Sequence, residues 1–121
     1  GYRVTSGPQF DEAYIRLILQ RSFDRCYHPS GWSYQMAAAR ASGDRLSRLS
    51  QLKLPSLIIH GTADPLIPVA AGQATAAAIP NARLMIIEDM GHCLLAPYWE
   101  PVADAVAELA MNARHLPLAA T

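Results

Sequence analysis

Hydrophobic positions along the chain change period near residue 54. From Phe10 to Cys26 the apolar residues Phe10, Tyr14, Ile15, Leu17, Ile18, Leu19, Phe23 and Cys26 recur at helical spacing, with Asp11, Glu12, Arg16, Gln20 and Arg21 between them. Asp11 and Glu12 fall in the first turn and Arg21 and Arg25 near the end, the charge order that a helix dipole favours. Tyr27-His28-Pro29-Ser30-Gly31 reads as a turn, and Ser30 is placed to cap a second helix from Trp32 to about Ser42, with Gly43 as its stop. A third helical piece is expected over Asp44 to Leu52, with Leu46, Leu49 and Leu52 three apart. Gly1 to Pro8 has no apolar period and is expected to be a loop.

After Lys53-Leu54-Pro55 the pattern becomes strand (about Ser56 to His60), helix (about Val69 to Ala78), strand (about Arg83 to Glu88) and helix (about Tyr98 to Ala113), followed by an apolar tail from Leu116. Alternating strands and helices predict an α/β class with a parallel sheet and helical crossovers. The strand cores Leu57-Ile58-Ile59 and Leu84-Met85-Ile86-Ile87 are continuous apolar runs, which suit strands covered on both faces. Two parallel strands leave apolar edges that invite association. The pattern is therefore expected to be part of a larger sheet, completed by further sequence or by a partner. Two units are expected: 1–53, helical, and 54–121, strand-loop-helix-strand-loop-helix.

Composition narrows the function classes. The 121 residues are 51% hydrophobic and 17% charged, enough apolar content for a core. Ten basic and ten acidic residues balance, with no basic stripe for nucleic acid. No apolar run approaches the roughly 18 residues of a membrane span, and Gly1 to Ser30 contains no signal-peptide core. Cys26 and Cys93 are too few for a disulfide framework and form no CxxC pair. The expectation is a cytoplasmic protein with free thiols, no nucleic-acid partner and no membrane partner.

Chemistry-bearing residues cluster after the two strands. Asp64 lies in the loop His60-Gly61-Thr62-Ala63-Asp64-Pro65, beyond the C-terminal end of the first strand, where open α/β sheets place their ligands. Ordinary turn chemistry also explains an Asp before Pro. His92 follows Gly91 at the same end of the second strand. Adjacent strands are about 5 Å apart, so the two loops can bring Asp64 to the His92 ring. There a carboxylate would fix the tautomer, and the other nitrogen would serve as a general base. Each residue alone has a plain structural explanation; the matched placement favours the pair. His60 is expected to be structural, a ring at a strand end that hydrogen-bonds nearby backbone. Cys93 is adjacent to His92 and so is expected to point elsewhere. The set His60, Asp64, His92 and Cys93 lacks the tight spacing of a zinc site, and no metal or cofactor is expected.

From Leu54 to about Ala113 the chain resembles the C-terminal end of the α/β-hydrolase fold. The resemblance is carried by P-x-L-I-I-H-G-x-x-D-x-x-I-P from Pro55, A-R-L-x-x-I-E-x-M-G-H from Ala82, and a closing helix. It implies Asp64 as the acid and His92 as the histidine of a nucleophile-acid-histidine triad. Residues 1–53 resemble the helical cap that many members insert before the acid-bearing strand, and the wording around Tyr27 to Arg45 is similar to esterase-type members, including polyketide-antibiotic methylesterases. The sequence departs from the family in having no G-x-S-x-G; none of its eight serines has a glycine both two residues before and two residues after it. The resemblance thus implies a carboxylic ester hydrolase whose nucleophile and oxyanion amides belong to further sequence, so that this chain alone is expected to be inactive. The implied substrate is a small ester or acyl compound, with Trp32, Tyr34, Met36, Leu66, Ile67, Leu94 and Leu95 as candidate pocket residues. Packing explains each of these equally well. The structural partner would be the N-terminal half of the hydrolase, or a second copy meeting at the sheet edge. Epoxide or haloalkane hydrolysis through an Asp nucleophile, and a non-catalytic fragment or interaction domain, remain open alternatives.

Overall fold

A computed structural model describes residues 1–113. Helix α1 spans Tyr2–Thr5, α2 Glu12–Arg25, α3 Gly31–Ala41 and α4 Leu46–Leu49. Strand β1 (Leu57–Gly61), helix α5 (Val69–Ala78) and strand β2 (Arg83–Ile87) come next, and a single 3-10 turn at Ala96–Tyr98 leads into α6 (Trp99–Ala113). The two strands are parallel neighbours, with Leu57 opposite Arg83 and Gly61 opposite Ile87. The α/β alternation expected from the sequence is the alternation observed.

Local signals account for most element ends. Asp11 caps α2, its side chain accepting from the Tyr14 amide at 2.9 Å. Gly43 takes a left-handed φ of +59° just past α3. Pro68 occupies the position before α5, where its lack of an N–H costs nothing.

Two expectations are corrected. Residues 2–5 form one helical turn instead of a loop. The third helix is only Leu46–Leu49: before it the Asp44 carboxylate accepts from the Leu46 amide in a local turn, and after it the Gln51 and Leu52 amides bond the Arg48 and Leu49 carbonyls three residues back. Leu84 and Ile86 are 37% and 39% exposed, open apolar surface of the kind expected of two strands from a larger sheet. Leu17, Leu19 and Phe23 on α2 are also exposed, so its apolar stripe buries only Ile15. These elements are too few to cover a sheet twice. The tail from Leu116 lies outside the described residues.

The core sits under the C-terminal ends of the strands. Ile15 from α2 meets Met90, Leu95 and Tyr98, with Phe10, Tyr14, Ile18, Ile59, Ile87 and Cys93 against them. Residues on both sides of Pro55 therefore share one core, and α4 also packs on α5. No helix among the described residues is long and apolar enough to cross a membrane.

Backbone contact fixes the two loops that leave the strands. A Cβ at Gly61 would overlap the Met90 carbonyl, and one at Gly91 would overlap Thr5 and Ser6 backbone. Thr62 and Ala63 amides donate to the Ile87 and Met90 carbonyls at 3.0 Å each, and the Asp89 amide donates to Thr62 Oγ1 at 2.9 Å. The Gly61→Ala substitution should destabilise the fold by about 3 kcal/mol or more, since an overpacked site bounded by backbone has little room to relax. Urea denaturation measures this, and a loss below about 1 kcal/mol would show that the loops can separate at small cost.

Candidate active site

The loop after β1 is built to hold a carboxylate. Its backbone turns back at Pro65, so that the Leu66 and Ile67 amides both donate to Asp64 Oδ1, at 2.8 and 3.0 Å. The other oxygen, Oδ2, lies 2.9 Å from His92 Nδ1. The Asp64 side chain is 6% exposed and that of His92 48%. A buried carboxylate thus faces a half-exposed imidazole.

The electrostatics follow from these contacts. Burial pushes the Asp64 carboxyl up, toward the neutral form. The Ile67 amide, the His92 ring, the Leu66 amide and the nearby imidazolium charge pull it down, and together they prevail, holding it below the ordinary aspartate value. A hydrogen bond to a charged group contributes about 1.5–3 kcal/mol, so three of them can offset the several kcal/mol that burying one ion costs. The ionised Asp64 can only accept, so His92 Nδ1 carries the proton. The neutral ring then has a bare Nε2, available as a base.

His92 is held through its backbone as well. Its amide donates to the Thr5 carbonyl at 2.6 Å. Sequence periodicity gave no sign of this contact; the only local signal was the breaker Ser6-Gly7-Pro8. Gly7 adopts φ +72° and lies against Asp89 and Gly91 backbone, which Ser6-Gly7 can reach because glycine carries no side chain. Ser6 is completely buried. His60, as expected, bonds nearby backbone: Nε2 donates to the Ile67 carbonyl at 2.9 Å. Cys93 Sγ lies 3.9 Å from Thr5 Oγ1 and packs against the core.

The candidate pocket residues scatter. Leu66 and Ile67 border Asp64 and are exposed, as is Leu94, whose carbonyl accepts from Trp99 Nε1 at 3.1 Å. Leu95, at 2% exposed, is core. Met36 is half-buried on α3. Trp32 and Tyr34 are open to solvent, and the Tyr34 ring meets His28 edge-on at 5.7 Å. Three concavities of about 440, 620 and 620 Å³ lie around Leu46, Phe23 and Leu54, and none is lined by any of the seven residues. Among the described residues no group of three His, Cys, Asp or Glu side chains is arranged to hold a metal ion.

Strand-loop-helix order, a parallel sheet and an acid-histidine pair at its C-terminal edge define a class, and comparison with known proteins gives the same one. The family model for the alpha/beta hydrolase fold matches residues 5–96, and the chain belongs to that family. It is 32% identical over 99 residues to 2-hydroxy-6-oxononadienedioate/2-hydroxy-6-oxononatrienedioate hydrolase 2 of Pseudomonas putida, covering 81% of this chain and 35% of that protein. It is 39% identical over 62 residues to rhodomycin D methylesterase of Streptomyces peucetius, covering 51% of this chain and 21% of that protein. A solved structure of an N-acyl homoserine lactone degrading enzyme superposes with a TM-score of 0.54 at 24% identity, over 91% of this chain and 43% of that one. The chain thus spans about a third or less of the curated relatives' length.

Because folding lowers the Asp64 pKa, its ionisation contributes stability that is present above the ordinary value near pH 4 and lost as pH falls through the lower folded value. The Asp64→Asn variant should therefore be less stable than the parent at pH 7, and the gap in Tm should narrow on acidification below about pH 4. A gap that stays constant between about pH 7 and pH 2.5 would show that Asp64 is not held ionised by these contacts.

Proposed function

We propose that this chain supplies the acid and the histidine of a carboxylic ester hydrolase. Asp64 orients His92 and stabilises its imidazolium; His92 Nε2 takes the proton from a serine nucleophile and then protonates the leaving alcohol. The observation that carries this is the 2.9 Å Asp64–His92 hydrogen bond, with the other ring nitrogen on the half-exposed side chain. Methylesterase and esterase names among the relatives support ester chemistry, and the reading extends them to this chain as a small ester or acyl substrate.

In this reading residues 54–121 are the C-terminal part of the hydrolase core and 1–53 its cap. Leu66, Ile67 and Leu94, exposed beside the acid and histidine loops, are the first candidates for the acyl wall, with Trp32, Tyr34 and Met36 contributed by the cap. The serine elbow and the oxyanion amides belong to the part of the hydrolase that the relatives have and this chain does not span. That part also pairs with the strand edges, where a second copy would otherwise associate. This chain by itself turns over no ester.

In the intact hydrolase, Asp64→Asn and His92→Ala should each lower kcat for a p-nitrophenyl ester by at least about 10³-fold with folding preserved. Near-normal turnover in Asp64→Asn would return Asp64 to a loop-forming role. Sequence encoding the intact protein should contain G-x-S-x-G, and alanine in place of its serine should abolish turnover. An aspartate at the elbow would point to epoxide or haloalkane chemistry in place of ester hydrolysis.

A further inference from the structure

We propose that His60 is a positioning residue for the Asp64–His92 pair, acting through the Ile67 carbonyl and held in place by helix α5 at Gly72. The inference rests on the hydrolase reading of that pair and adds a third residue to it.

Residue Ile67 is gripped from both sides. Its amide donates to Asp64 Oδ1 at 3.0 Å, and its carbonyl accepts from His60 Nε2 at 2.9 Å. A carbonyl only accepts, so Nε2 carries the hydrogen. The following Pro68 has no N–H and a restricted φ, so the Ile67–Pro68 peptide has no donor of its own with which to hold the loop. His60 supplies the missing donor. The same Nε2 stands 3.8 Å from Asp64 Oδ2, the oxygen that His92 uses. That is too long for a hydrogen bond, but it places the 12% exposed imidazole against the carboxylate and limits where Oδ2 can swing.

The ring cannot retreat. A Cβ on Gly72 would stand 2.7 Å from His60 Nδ1 and 2.9 Å from its Cβ and Cγ, so the α5 backbone lies directly on the imidazole. Strand end, ring, loop carbonyl, loop amide and carboxylate thus form one chain of contacts that ends at His92. Loosening it lets Asp64 rotate away from the His92 Nδ1–H, and imidazole orientation is lost without any change to the acid or the base.

The test uses kinetics of the intact hydrolase on a p-nitrophenyl ester. The His60→Asn amide reaches about as far as Nδ1 and falls short of the Ile67 carbonyl, whereas the His60→Gln amide extends to the position of Nε2. His60→Asn and His60→Ala should lower kcat on the order of 10- to 100-fold with little change in KM, as expected for a small misplacement of catalytic groups. His60→Gln should recover most of that loss. Gly72→Ala, which pushes on the ring from behind, should lower kcat in the same direction, and its effect should largely disappear in a His60→Asn background. Equal kcat in the Asn and Gln variants would overturn the proposal, and this contrast remains available if His60→Ala does not fold. The His92→Ala variant separates the two levels. Lost turnover there with normal turnover in His60→Asn would overturn the role of His60 alone, and normal turnover in His92→Ala would overturn the pair and this inference with it.

Discussion

The site depends on how closely two backbones approach at the end of β1. Gly61 lies against the Met90 carbonyl with no room for a side chain. This lets the loops after β1 and β2 bond to each other directly through Thr62, Ala63, Ile87 and Met90. A parallel pair alone sets the spacing of two strands; it does not set the spacing of the loops beyond them. The Gly61 contact extends the register past the last paired residues, so that a carboxylate on one loop and an imidazole on the other meet at 2.9 Å.

Once the loops are locked, charge decides the arrangement of the rest. An isolated buried carboxylate would take up a proton. Asp64 stays ionised because the residues directly behind it turn their amides toward it, and because His92 offers a third donor. Asp64 is shielded while His92 is half open. That asymmetry suits a pair in which one member only orients and the other must reach a reacting group. A buried histidine would have no access to substrate, and an exposed aspartate would bind water as readily as the ring.

Much of this was legible in the sequence, for identifiable reasons. Strand cores, crossover helices and the Asp64–His92 pairing were readable because buried parallel strands are written as short apolar runs and because loops at matching strand ends must be neighbours. The span Val69–Ala78 of α5 coincides with its expected bounds, since Pro68 marks one end and the run Ile79-Pro80 the other. What the pattern could not give were contacts between backbones. The one-turn helix at Tyr2–Thr5 buries nothing of its own, so it left no periodicity, yet its last carbonyl holds the His92 amide. The third helix is shortened at both ends, by the Asp44 side-chain turn before it and by the three-residue turns that Gln51 and Leu52 make after it. Placement of the aromatic residues of α3 was illegible for a different reason: Trp32 and Tyr34 have the composition of a pocket wall, but apolar residues on a short helix carry no address for the surface they face.

The exposed apolar residues bear on the same architecture. Leu84 and Ile86 on β2, and Leu17, Leu19 and Phe23 on α2, are the residues the pattern marks for burial, and here they are open. The buried cluster of Ile15, Met90, Leu95 and Tyr98 draws Met90 and Leu95 from the loop that carries His92, while Ile79 and Ala105 are buried outside it. Part of the buried packing therefore bears directly on the loop that positions His92. Leu84, Ile86, Leu17, Leu19 and Phe23 are apolar surface that the described residues leave uncovered. The acid-histidine pair, by contrast, is assembled from contacts within this chain, which is why its geometry is present in a segment that spans about a third of its relatives' length.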